Sequence, residues 1–324
     1  MPSPRRISVL LLAYNQVSTV RAAAESLLAQ VCEPLEVILS DDASSDDTFA
    51  VLEQVAGAYR GPHVVRARRN AVNLGICAHY NGLIAESTGE LLVTAGGDDL
   101  SLPSRVAKLV AAWDATGGRA DLVSSHFIDL LPSGEPGKPV ATDDLAKVTL
   151  ERWLSRRPYI VGATHAFTRR VMARFGPFID GLWYEDQIMT FRAVVTGGGI
   201  TVPEPLVQYR RGGSSQWSHA DRGSSLVRWT AVQNRRLLAE IAQLEHDAEI
   251  AGCRDEVKLV LADSLRRERF LETLVDAESG RERWRALRMS PALPLGWRVG
   301  KVLRFMFPDH AAALKRWRLK RKAE

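Results

Sequence analysis

The sequence predicts an α/β protein, a mainly parallel, doubly wound sheet with a helical C-terminal extension. Three observations carry this reading. Short apolar runs alternate with helical patterns through the first hundred residues. The runs are nearly continuous, as in strands covered on both faces. From about Leu226 onward only helical spacing remains. With 324 residues, 46% hydrophobic and 25% charged, the chain has room for one large α/β domain and an appendage.

Ile7-Ser8-Val9-Leu10-Leu11-Leu12 reads as the first strand, and Val20, Ala24, Leu27 and Leu28 mark the helix after it. Leu35-Glu36-Val37-Ile38-Leu39 is the second strand. Asp46-Asp47-Thr48 then offers capping side chains and first-turn acids to a helix carrying Phe49, Leu52, Val55 and Tyr59. Val64-Val65 marks a third, shorter strand, and Leu74, Ile76, Leu83 and Ile84 the next helix. Leu91-Leu92-Val93-Thr94-Ala95 is a buried strand that runs into Gly96, Gly97 and the acid pair Asp98-Asp99. A helix near residues 104–116 and a strand at 121–125 follow, and the Pro/Gly-rich stretch from Pro132 to Pro139 reads as a surface loop. Leu237, Leu238, Ile241 and Leu244, then Leu259, Leu261 and Leu265, have helical spacing. These elements divide the chain into a sheet domain, residues 1–218, with halves at about 6–115 and 116–218, and a helical region, residues 219–324.

Composition excludes several classes. No apolar signal core follows Met1-Pro2-Ser3-Pro4-Arg5-Arg6, and no run of about eighteen apolar residues is available to span a bilayer. Cys32, Cys77 and Cys253 are widely spaced and form no CxxC, which points to free thiols in a reducing cytoplasm. The net charge of +5 is uneven: residues 281–324 hold thirteen Lys/Arg against Glu282, Asp309 and Glu324, so the rest of the chain is acidic.

Asp98-Asp99 is the most informative pair. Neighbouring anions repel unless a cation neutralises them, and Mg²⁺ or Mn²⁺ carrying a diphosphate commonly takes one or two carboxylates for that purpose. An isolated surface pair is usually solvated, but this one follows a buried strand. Glu185-Asp186 opens a helix bearing Ile188, Phe191, Val194 and Val195. On sequence alone it either complements the helix dipole or supplies a base.

The run Ser8-Val9-Leu10-Leu11-Leu12-Ala13-Tyr14-Asn15, then Asp41-Asp42-Ala43-Ser44-Ser45-Asp46-Asp47-Thr48, Asn73-Leu74-Gly75, Gly89-Glu90, Asp98-Asp99, Glu185-Asp186 and Tyr209-Arg210-Arg211 occur in that order. Together they resemble family 2 glycosyltransferases of the GT-A fold, over roughly residues 6–215. The resemblance implies a metal-dependent, inverting transfer of a sugar from a nucleoside diphosphate to a hydroxyl, in cell-surface polysaccharide or glycolipid synthesis. It gives Ala13 and Tyr14 to the nucleotide-base pocket. It makes Asp41 the acceptor of a base N–H, which suits the imide of uracil or thymine and favours UDP or dTDP donors. Asp99 would touch Mn²⁺ or Mg²⁺, Asp98 the ribose or the metal, and Asp186 would be the catalytic base. Arg210 or Arg211 would pair with diphosphate oxygens. His219 either contacts metal or phosphate or is simply exposed, and residues 160–165 would line the acceptor side. Two departures stand out. The family often carries Ala-Arg-Asn where this chain has His79-Tyr80-Asn81, and Leu12 offers the base no hydroxyl.

Residues 293–307 mix large apolar and basic side chains, and Lys315, Arg316, Arg318, Lys320, Arg321 and Lys322 follow. Two readings stay open: a segment lying in the headgroups of an anionic membrane, at the inner face of the plasma membrane, or a solvated face of a helical bundle. No nucleic-acid motif accompanies the charge. A sugar-phosphate nucleotidyltransferase would need a glycine-rich phosphate loop, and residues 7–16 contain no glycine. A hydride-transferring enzyme would need GxGxxG after the first strand, which is absent. A non-catalytic sugar-nucleotide binder or membrane scaffold remains the alternative outside enzymes.

Overall fold

A computed structural model describes residues 6–131, 133–211 and 226–307. Strand and helix alternate through β1 (Ile7–Ala13), α1 (Val20–Leu28), β2 (Glu36–Asp41), α2 (Thr48–Ala58), β3 (Val64–Arg69), α3 (Ile76–Glu86), β4 (Leu91–Gly96), the two-residue β5 (Leu100–Ser101) and α4 (Arg105–Ala115). Then come β6 (Leu122–Leu130), β7 (Pro136–Val140), α5 (Leu150–Ser155), β8 (Ala166–Thr168), α6 (Arg169–Phe175), α7 (Glu185–Val194) and β9 (Gly199–Arg210). Helices α8 (Leu226–Ala251), α9 (Arg254–Asp276), α10 (Gly280–Ala286) and α11 (Leu295–Met306) follow. Among the described residues no helix is long and apolar enough to cross a membrane.

The sheet runs β3-β2-β1-β4-β8-β6-β9-β5, with β7 attached to β6. Strands β3, β2, β1 and β4 are parallel, β8 is antiparallel to β4 and β6, and β6 and β9 are parallel again. The continuous apolar runs are explained by coverage on both faces. Leu10, Ile38 and Leu92 face a core filled by α3 and α5 to α9, while Val9, Leu11, Val37, Leu39 and Val93 face a second core filled by α1, α2 and α4. Ile241, Leu244 and Ala248 of α8 and Val257 and Leu261 of α9 share the first core, so these two helices are packed into the sheet domain. The end of α9 joins α10 and α11 in a separate cluster around Phe270, Leu274, Val302 and Phe305.

Two elements differ from the sequence expectation. The stretch read as a surface loop includes β7, which pairs antiparallel with β6 at Phe127, Ile128 and Leu130. Strand β8 pairs only Leu122 and Val123 of β6. The rest of that β6 edge is left free, and a strand carrying Pro136 and Pro139 is tolerated at such a rim. Strand β9 is twelve residues long despite Pro203 and Pro205; its pairing with β6 shifts register at Ser125–Phe127 to accommodate them. At the head of α2, Asp46 accepts from Thr48 N (3.0 Å), Thr48 Oγ1 and Val17 N, whereas Asp47 makes no side-chain cap.

Candidate active site

The strand order reverses at β1, whose neighbours β2 and β4 lead the chain in opposite directions. Such a switch point opens a crevice at the carboxyl ends of the strands. A cavity of about 200 Å³ lies there, lined among others by Ala13, Tyr14, Gln16, Asp42, His79 and Trp183. Tyr14 is 38% exposed, so its ring has a free face. Two non-glycine residues hold left-handed backbone at the rim, Asn15 (φ 52°) after β1 and Ala43 (φ 58°) after β2. Bonds between the two turns stabilise this conformation: Asn15 N donates to Ser44 Oγ at 2.8 Å and Ser45 N to Asn15 Oδ1 at 2.8 Å.

The acids at the end of β2 are both buried and both hydrogen-bonded. The Asp41 carboxylate is 0% exposed; it accepts from Ser44 N (3.0 Å) and Ser44 Oγ and pairs with Arg69 Nε at 3.1 Å. Asp42, one residue on, lines the cavity and accepts from Asn70 Nδ2 (2.7 Å), Leu74 N and Gly75 N (both 2.9 Å). It ties the Asn73-Leu74-Gly75 turn to the cleft. His79 also lines the cavity, its Nε2 paired with Ser40 Oγ at 2.5 Å, and burial pushes its pKa down so that the ring is neutral. Asp42, His79 and Trp183 were not singled out as lining residues in sequence. The spacing of Asp42 to Asn73-Leu74-Gly75 was the available signal.

Asp98-Asp99 follows β4 in a turn that needs both preceding glycines. A Cβ at Gly96 would lie 2.9 Å from Asp99 Oδ2, and one at Gly97 would lie 2.5 Å from Gln16 Oε1 and 2.9 Å from Ala13 Cβ. The turn is thereby folded against the end of β1. Arg210 N donates to Asp99 Oδ1 at 2.8 Å and Arg210 Nε to the Asp98 carbonyl at 3.3 Å. Beneath lies Arg105, buried, with Nη2 donating to Thr94 O (2.8 Å) and Ala163 O (2.7 Å). Burial pushes both carboxyls above the usual carboxylate range, and the Asp98 charge pushes Asp99 further, against the pull of Arg105 and Arg210. These donors fit a hard divalent cation. They are oxygen only, and the repulsion between the neighbouring carboxylates raises Asp99 further. Mg²⁺ or Mn²⁺ completes such a shell with phosphate and water. Arg211 turns elsewhere, with Nε 2.5 Å from Asp129 Oδ1 and its guanidinium over Phe127.

The second acid pair begins α7. Trp183, just before it, lies under the Arg236 guanidinium at 3.5 Å, and Tyr184 Oη donates to Gln233 Oε1 at 3.2 Å, so α8 clamps the approach to the helix. Glu185 lies against Gly162, where a Cβ would come within 2.6 Å of Glu185 Oε1. The same turn is tied to β4, because Thr94 Oγ1 bonds Gly162 O (2.6 Å) and His165 O (3.0 Å). Asp186 is half-buried and accepts from Gln187 N at 2.7 Å. Burial raises the pKa of both acids; Asp186 raises Glu185 further, while Glu240 raises and Arg157 lowers Asp186. Farther along α7, Arg192 and Asp247 form a fully buried two-point pair, Nε–Oδ2 2.7 Å and Nη2–Oδ1 3.1 Å. The structure thus brings Ala13, Tyr14 and Trp183 around one crevice, with the Asp98-Asp99 turn and Arg210 folded against the end of β1 and Glu185 beside a separate small cavity with Tyr80, Thr94 and His165. His219 lies outside the described residues.

This arrangement defines an α/β protein of the GT-A type, with acids at the ends of two central strands and at the head of a helix. Residues 8–131 match the family model described as Glycosyl transferase family 2. A stretch of 111 residues is 35% identical to a putative glycosyltransferase, EpsE, of Bacillus subtilis, covering 34% of this chain and 39% of that protein. The match therefore spans well under half of that relative. The fold is similar to that of S. aureus TarS 1-349 in complex with UDP-GlcNAc, with TM-score 0.57 and 16% identity over 93% of this chain and 89% of that one. It is also similar to mannosyltransferase PcManGT from Pyrobaculum calidifontis in complex with GDP-Man and Mn²⁺, with TM-score 0.50 and 16% identity over 95% and 89%.

Proposed function

We propose that the protein is a metal-dependent, inverting glycosyltransferase. It moves a sugar from a nucleoside diphosphate, UDP or dTDP, to a hydroxyl of a cell-surface glycan or glycolipid. The observation that carries this reading is that the turn bearing Asp98-Asp99 folds against Ala13 at the end of β1, whose cavity is also lined by Tyr14 and by Trp183, two residues before Glu185-Asp186. Solved proteins of similar fold hold UDP-GlcNAc, or GDP-Man with Mn²⁺, which supports the donor class and the metal.

Tyr14 offers the base a stacking face. Arg210, anchored on Asp98 and Asp99, presents positive charge to the diphosphate. Asp98 and Asp99 would hold the divalent ion, whose charge would stabilise the leaving diphosphate. Asp186 takes the acceptor hydroxyl's proton as the acceptor oxygen bonds to the anomeric carbon. The bond from that carbon to the diphosphate breaks on the opposite face, so configuration inverts. The free thiols Cys32, Cys77 and Cys253 support a reducing, cytoplasmic setting.

The test is a thermal-shift panel of UDP-, dTDP- and GDP-sugars with and without Mn²⁺, because a ligand that binds only the native state raises its melting temperature. A metal-dependent rise with a uridine or thymidine donor is expected. No metal-dependent rise with any donor overturns the reading.

A further inference from the structure

Helix α11 is apolar on two sides. Arg298, Val302 and Phe305 point inward, with Val302 and Phe305 in the cluster shared with α9 and α10. Leu295, Val299, Leu303 and Phe307, four residues apart, form a second stripe on another face, and Leu295, Leu303 and Phe307 are exposed. A helix that merely closes a bundle needs only the first stripe.

Helix α10 extends the exposed apolar surface. Gly280 abuts Met306, where a Cβ would lie 2.8 Å from Met306 Cε, and Trp284 stands one turn further along that side of α10. Arg283 Nη1 donates to Phe305 O at 3.1 Å and Arg298 Nη1 to Leu287 O, which locks the two helices together. Trp284, Met289, Leu295, Leu303 and Phe307 are each between 40% and 67% exposed, five large apolar side chains within 24 residues.

The charge around them has one sign. Arg281, Arg285 and Arg288 are exposed and have no ion-pair partner among the described residues. Glu282 is the only acid between residues 281 and 307, and its carboxylate is turned back onto Glu278 N and Ser279 N in a capping box. Six more Lys/Arg follow in sequence between residues 315 and 322. Twelve helical residues reach about 18 Å, well short of a hydrocarbon core of roughly 30 Å, so α11 is suited to lie along a bilayer and not to cross it.

We propose that α10 and α11 dock on the surface of a bilayer containing anionic phospholipid. Trp284, Leu295, Leu303 and Phe307 enter the headgroup boundary and the arginines meet lipid phosphates. This surface lies apart from the crevice and does not depend on the reaction assigned there.

The experiment is co-sedimentation of the full chain with phosphatidylcholine vesicles, with and without phosphatidylglycerol, beside the double variant Leu295→Glu/Leu303→Glu. Both substitutions are at exposed positions, and an unchanged melting temperature verifies that the variant is folded. The wild type is expected to sediment with phosphatidylglycerol vesicles, and the variant to bind them at least roughly ten-fold more weakly. Equal binding by the variant overturns the proposal, as does failure of the wild type to bind. A wild-type dimer that the variant splits, with no vesicle binding, overturns it as well and assigns the face to a second copy of the chain.

Discussion

The end of β4 and the head of α7 each carry neighbouring carboxylates, yet the two pairs have different surroundings. Asp98-Asp99 hangs from a strand end and meets fixed positive groups: the Arg210 amide at 2.8 Å, the Arg210 guanidinium and the buried Arg105 beneath. Glu185-Asp186 opens a helix, and the charges facing it oppose each other, Arg157 against Glu240, themselves an ion pair. Burial raises the pKa values in both pairs. At the strand-borne pair Arg105 and Arg210 pull against that rise, yet Asp99 still reaches about 8, as Glu185 does, while Asp186 reaches about 6. The pairs therefore differ in what surrounds them and not in how far burial shifts them: fixed cations face one, and an Arg–Glu ion pair faces the other.

Asp186→Asn breaks the comparison most sharply. If Asp186 is the base, transfer falls by about a hundred- to ten-thousand-fold, while the metal-dependent thermal shift given by the donor stays as in wild type. Single-turnover transfer together with the melt checks both halves. A variant that still transfers at the wild-type rate removes the base from this position and favours a binding protein without turnover.

The helix-borne pair also depends on its tether. Arg192 and Asp247 join α7 to α8 with no solvent contact, and Gln243 Nε2 adds a bond to Asp247 Oδ1 at 2.9 Å. Asp247→Ala would leave a guanidinium buried and unpaired, at a cost of about 3–5 kcal/mol measured by urea unfolding. A loss under about 1 kcal/mol would mean that α8 contributes little to holding Glu185-Asp186.

At the strand-borne pair, Asp99→Asn should remove the Mn²⁺-dependent part of donor binding. Even groups behind the direct ligands of a metal typically contribute roughly 10–100-fold in affinity, so a direct ligand should cost at least that much. Calorimetric titration of the donor with and without Mn²⁺ measures it. The same metal dependence in variant and wild type would exclude Asp99 as a ligand.

What could be read from the sequence followed from how local its cause was. β1, β2 and β4 were legible because strands covered on both faces are apolar throughout, and the Asp98-Asp99 turn because Gly96 and Gly97 precede it. β7 and β9 were not, because Pro136, Pro139, Pro203 and Pro205 argue against strands unless the free edge of β6 and a register shift are known. The partners of Asp41 were equally hidden. Ser44 and Arg69 occupy its carboxylate, and only the paired strands β2 and β3 bring Arg69 there. Arg105 under Asp99 and Arg192 on Asp247 are contacts between distant segments, and no spacing in the chain announces them.

The smallest expected effect tests how the helix-borne pair shares its charge. A base works deprotonated, so transfer should fall as pH drops through the Asp186 pKa. Burial raises that value, which places the acid limb of kcat/KM above the ordinary carboxylate midpoint of about 4. Glu185 is raised by burial and then again by Asp186, so it holds its proton while Asp186 titrates. Glutamine has the shape of a protonated glutamic acid. Glu185→Gln should therefore leave both the neutral-pH rate and the position of the acid limb close to wild type. Were Glu185 ionised instead, the substitution would remove a neighbouring negative charge, lower the Asp186 pKa and move the limb to lower pH by about one unit. A limb that shifts in that direction makes Glu185 the charged member of the pair, and a limb that stays makes it a neutral group lodged against Gly162.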